Sequence, residues 1–131
     1  MKNETKLWIE YAKENLESAH ILLQRKLYNP CLQNVQQCVE KAIKSILVEH
    51  SHKIKKTHSN LELKHITEKL GFKIEISEEE CDFLDSIYLP SKYPIGTVLP
   101  YYQPNEDICN KAIHISERVL SSVENILLKN C

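Results

Sequence analysis

Between Glu4 and about Lys26 the apolar residues Trp8, Tyr11, Ala12, Leu16, Ala19, Leu22 and Leu23 recur at intervals of three and four, the period of one buried helix face. The spacing predicts a long first helix with these residues turned inward. Pro30 in "LYNP" interrupts it, because proline lacks an amide proton and disfavours α geometry at the residue before it, yet fits the first turn of a following helix. A second helix is then expected through "CLQNVQQCVEKAIKSILVEHS", with Val35, Cys38 or Val39, Ala42, Ile43, Ile46 and Leu47 inward. The short link favours an antiparallel hairpin with arms of roughly 33 Å.

Ser59 and Glu62 have capping-box spacing at the head of "NLELKHITEKL", and Gly71 is placed to close that helix in left-handed geometry. "FKIEI" alternates like a strand but has nothing to pair with, so it reads as an extended linker. Ser77 and Glu80 repeat the capping spacing and open a fourth helix, with Cys81, Leu84, Ile87 and Tyr88 inward, expected to stop before Pro90. Asn105 caps a last helix whose inner line is Ile108, Ala112, Ile115, Val119, Val123 and Ile126 or Leu127. The pattern predicts an all-α up-and-down bundle of four to five helices, and 131 residues are enough for a single domain spanning 1–131.

Composition narrows the chemistry. A formal net charge of −1, from 17 basic and 18 acidic residues, supplies no global field toward nucleic acid or anionic lipid, so an anion site must be local. Five cysteines without a C-x-x-C pair fit reduced thiols, with Cys31, Cys38 and Cys109 as small buried hydrophobes. The charged N-terminal stretch has no apolar h-region, and no span approaches the length of a membrane helix. We expect a cytoplasmic protein that does not engage a membrane.

Three stretches carry candidate chemistry. In "QQCVEKAIK", Gln37, Glu40, Lys41 and Lys44 share one flank of the second helix, by spacing a solvated face with a Glu40–Lys44 pair. "HSHKIKKTH" gathers three histidines and three lysines ahead of the third helix, where an exposed basic loop and a phosphate site built on free helix-head amides are both open readings. His50, His52, His58 and His65 lack zinc spacing, no serine or cysteine sits in a nucleophile motif, and two glycines make no phosphate-cradling loop. No catalytic residue, metal or cofactor is expected. The third stretch, "LPSKYPIGTVLPYYQP", holds four of the five prolines and four tyrosines if Tyr88 just ahead of it is counted with Tyr93, Tyr101 and Tyr102. A loop that long is more often functional than idle, and its rings can stack on a base beside Lys92.

"WIEYAKENLESAHILL", "LYNPCLQNVQQCVEKAIKSIL", "KTHSNLELKHITEKLG" and "YLPSKYP" before a final amphipathic helix together make the chain resemble the HEPN domain family over nearly its whole length. The resemblance implies an all-α bundle, a homodimer, a nucleotide or RNA ligand, and a minimal nucleotidyltransferase partner in a toxin–antitoxin-like pair. One branch of the family consists of metal-independent ribonuclease toxins with an arginine followed, about a helical turn later, by a histidine. Here Lys92 stands where the arginine of R-Y-P would be, and residues 96–98 read Gly-Thr-Val. A single point charge replaces a planar fork, and the group that would move protons is missing. By the resemblance Lys92 and Tyr93 belong to the functional element, with Lys41, Lys44 and His58 in the same cleft. The expected function is phosphate binding without catalysis; the alternatives are a helical partner-binding module without ligand, and an endoribonuclease toxin using His58 or His65.

Overall fold

The computed structural model describes residues 1–53, 56–92 and 104–129, the last four of the middle stretch by backbone alone. Among the described residues there are five helices: α1 (Asn3–Gln24), α2 (Tyr28–Glu49), α3 (Asn60–Lys69), α4 (Glu78–Lys92) and α5 (Glu106–Lys129). They are all-α with no strand, as the periodicity predicts. The long loop expected after α4, with Tyr93, Pro94, Pro100, Tyr101 and Tyr102, lies outside the described residues.

α1 and α2 form the antiparallel hairpin. Midway along α1 Asn15 Nδ2 donates to Asn34 Oδ1 at 2.9 Å, and at the open end of the hairpin the Lys2 backbone N–H donates to Glu49 Oε1 at 2.9 Å. The two helix ends clamp each other, since Thr5 Oγ1 also donates to Glu49 and the Lys2 ammonium donates to the Val48 carbonyl and to Ser51. The Glu49 carboxyl is held below its ordinary range, first by the Lys2 backbone donor. Pro30 falls in the first turn of α2, where an amide would have no ladder partner.

The inner line of α1 differs from expectation. Tyr11 is 54% exposed, whereas Ile9 and Thr5 are buried together with Ala12 and Ala19. The reason is close approach: Ala12 and Ala19 are fully buried, so α1 meets its neighbours along a narrow line of small side chains that leaves no room for a ring one position away.

Helix α2 packs against all four other helices and is buried nearly all round, including Gln36, Glu40, Lys44 and Ser45. α5 runs antiparallel to α1, with Lys13 paired to Glu124 and His20 to Glu117. The linker at 72–76 is neither helix nor strand, but it is not simply extended as expected: it bends at Glu75, where the Ile76 N–H donates to the Ile74 carbonyl at 2.8 Å; Ile74 and Ile76 plug the core and the Glu75 N–H donates to Ser122 Oγ at 3.0 Å. Each buried isoleucine contributes about 1.5–3 kcal/mol of transfer free energy.

The sequence's helix signals act as expected. Ser59 Oγ accepts from Glu62 N at 3.2 Å, Ser77 and Glu80 cap each other at 3.0 Å both ways, and Asn105 Oδ1 accepts from Ile108 N at 2.8 Å. One does not: α4 continues through Pro90 to Lys92. Proline's fixed φ is helical, so near the end of α4 its cost is confined to the ladder bond that residue 90 would otherwise give to the Ser86 carbonyl and the fit of its ring against that group. No described helix is long and apolar enough to cross a membrane.

Candidate functional site

Because α2 is central, its polar flank faces neighbouring helices instead of solvent, which corrects the expectation of a solvated face. Glu40 is 4% exposed and Lys44 7%, and Lys44 Nζ donates to Glu40 Oε1 at 2.6 Å. The other carboxylate oxygen, Oε2, meets Gln37 Nε2 at 3.0 Å and His58 Nδ1 at 3.2 Å. Gln36, fully buried, donates from Nε2 to the His58 carbonyl at 2.7 Å and accepts from Gln37 at 3.0 Å, which fixes the connector against α2. The His58 ring stacks on Tyr88 of α4, with centroids 5.1 Å apart and planes at 26°, and its side chain remains 62% exposed. A buried ion pair therefore sits beneath an aromatic shelf open to solvent.

The structure brings Lys44 and His58 together on one carboxylate. Lys41 turns toward α1, where Nζ donates to Asn15 Oδ1 at 2.9 Å and lies 5.8 Å from the Tyr11 ring centroid. That places it beside a cavity of about 300 Å³ lined by Glu4, Leu7, Trp8 and Tyr11, apart from the Glu40 cluster. The backbone of Lys92 ends α4, four residues beyond Tyr88; its side chain and Tyr93 lie outside the described residues.

Helix-head amides are not free for a phosphate at α3. Asp85 of α4 accepts from Asn60 N at 2.8 Å, from Leu61 N at 3.2 Å and from Ser59 Oγ at 3.3 Å, while Ser59 Oγ takes the Glu62 amide. The anion favoured by the helix terminus is thus an internal carboxylate, which closes that reading of the basic connector. Asp85 and Gln36 are the residues that the sequence did not point to, whereas Tyr88 was expected among the rings able to stack on a base. A carboxylate one helix away leaves no mark in the sequence of the helix it caps, although Tyr88 was legible as an inward aromatic.

Three of the described thiols are disfavoured as nucleophiles, while Cys109 is lowered by its hydrogen bond with Cys31 against the opposing effect of burial. The thiols of Cys38 and Cys81 are pushed up to about 12, and Cys31 is raised by its hydrogen bond to Cys109 and by burial. Such groups stay protonated near neutral pH and are poor nucleophiles.

The model of the HEPN domain family matches residues 5–126. The chain belongs to the HEPN family. Solved structures share the fold: a protein of Thermus thermophilus superposes with a TM-score of 0.76 at 24% identity, covering 95% of this chain and 98% of its own. An archaeal HEPN homologue gives 0.69 at 28% identity with the same coverage. A HEPN domain protein of Thermotoga maritima gives 0.66 at 22%, covering 92% of this chain and 96% of its own. A protein of Methanocaldococcus jannaschii, named as a candidate toxin, is 46% identical over 43 residues. That match covers 33% of this HEPN chain and 28% of the relative's length.

Proposed function

We propose that this HEPN chain is a non-catalytic module that binds the phosphate of a nucleotide or of RNA, as a cytoplasmic homodimer working beside a minimal nucleotidyltransferase. The observation that carries the reading is the exposed His58–Tyr88 stack above the Glu40–Lys44 pair. It offers a π-face to a base and an imidazole edge to a phosphate, and α4 delivers Lys92 one turn beyond Tyr88. A thermal-shift screen against ATP, GTP, their monophosphates and a short single-stranded RNA tests it, with His58→Ala and Lys92→Ala run alongside. A ligand at about 100 times its dissociation constant adds about 2.7 kcal/mol of apparent stability. No shift with any ligand would favour a partner-binding bundle.

A second reading is favoured by one contact. Glu40 behind His58 is the arrangement that orients an imidazole for proton transfer, so an endoribonuclease toxin using His58 in place of the missing motif histidine stays in play. The match to a candidate toxin supports a toxin–antitoxin setting. Growth arrest on expression, relieved by His58→Ala, is required for this reading.

A further inference from the structure

We infer that Glu40 is the positioning residue of this site, and that an anionic ligand is taken up there together with a proton on His58 Nε2. The inference rests on the phosphate-binding reading above. Glu40 accepts from Lys44 on Oε1 and from Gln37 and His58 on Oε2. A carboxylate only accepts, so the His58 nitrogen facing it, Nδ1, carries hydrogen. In the neutral ring Nε2 is then a lone-pair acceptor, which repels a phosphate oxygen; protonated, it becomes a charged donor that attracts one.

Among the described side chains the neighbouring charges are engaged or lie off the ring edge, and Lys92, one turn past Tyr88, would add to the imidazole without replacing it. Lys44 is buried and engaged by Glu40 at 2.6 Å, so the pair cancels. On α4, Tyr88 presents a ring face and Asp85 is committed to the head of α3. On the connector, Lys56 is exposed two residues before His58. Among these groups imidazole is the one that ordinarily changes charge between pH 5 and 8. A proton on Nε2 therefore adds a positive charge at the stacked edge itself, where the neutral ring presents a lone pair.

The test uses the intact chain and a dinucleoside monophosphate, whose diester holds one fixed charge where a monoester would titrate near pH 6. Affinity measured by NMR titration from pH 7.5 to 5.5 should tighten toward acid, by up to about tenfold per unit. His58→Gln should remove that slope. Ring ¹⁵N shifts of the unliganded protein should show the Nδ1–H tautomer, lost in Glu40→Gln; if that variant does not fold, the parent tautomer and His58→Gln, at an exposed position, decide the matter. Equal affinity across the range overturns the inference and leaves phosphate binding standing. Binding at no pH overturns both, and an Nε2–H tautomer in the free protein overturns the role of Glu40.

Discussion

The Asp85 carboxylate on α4 reaches across to the head of α3 and accepts the Asn60 backbone N–H at 2.8 Å. One side chain thereby satisfies two orphan amides and ties two helices that border the site. Asp85→Ala should cost about 1–2 kcal/mol at neutral pH, the range of a lost helix cap with part-buried donors. The variant should also loosen the connector that carries His58.

The pH dependence of that cost has an unusual sign. Burial raises the Asp85 carboxyl above its ordinary 3.8 by more than the Asn60, Leu61 and Ser59 donors lower it. The folded state then holds the proton more tightly than the unfolded chain, so stability falls as pH rises from 3.8 through the folded value. The melting gap between parent and Asp85→Ala should be widest in acid and narrow toward neutrality. Glu80 behaves oppositely: although burial works to raise it, the Arg118 and Ser77 hydrogen bonds leave it lowered, and its contribution is lost as pH falls.

Three helices end in the same left-handed cap, with glycine at only one. The Lys26 N–H donates to the Leu23 carbonyl and the Leu27 N–H to that of Leu22, with Lys26 at φ 59°. Ser51 at φ 54° and Gly71 at φ 92° repeat the pattern after α2 and α3. Lys26→Gly should therefore stabilise by about 1 kcal/mol, read as a melting point a few degrees higher. Gly71→Ala should lose a similar amount through backbone strain alone, since its Cβ would meet nothing within 4 Å.

Ile9 and Tyr11 test which side of α1 is inside. Ile9 is 7% exposed and should cost about 2–4 kcal/mol as Ile9→Ala, the range for a truncated core side chain. Tyr11, 54% exposed with Lys41 near its ring, should cost less than about 1 kcal/mol as Tyr11→Ala. Equal losses in chemical denaturation would contradict the packing of α1.

The contrast shows what the sequence could and could not convey. Caps at Ser59, Ser77 and Asn105 depend on neighbours within one turn, and all three were legible. Side-chain period placed the α2 and α5 cores for the same local reason. Period cannot say that a helix is enclosed on every side, and so Glu40 and Lys44 read as a surface pair although packing leaves them 4% and 7% exposed. Tyr11 misled because size, not polarity, decides a line of close helix approach. His58 could be named from its motif, but its bond to Glu40 joins residues 18 apart through tertiary packing.

The Glu40–Lys44 pair should behave as a buried unit. Lys44→Met leaves a carboxylate inside with the Gln37 and His58 donors among the described residues, and should cost about 3–5 kcal/mol. Glu40→Gln strands an ammonium and should cost a comparable amount. The double variant removes both charges and should recover much of either loss, because desolvating two ions offsets most of their attraction. Urea denaturation of all four proteins gives the coupling directly. A loss under about 1 kcal/mol for each single variant, with no coupling, would mean that water reaches the pair; the carboxylate could not then hold His58 in one tautomer.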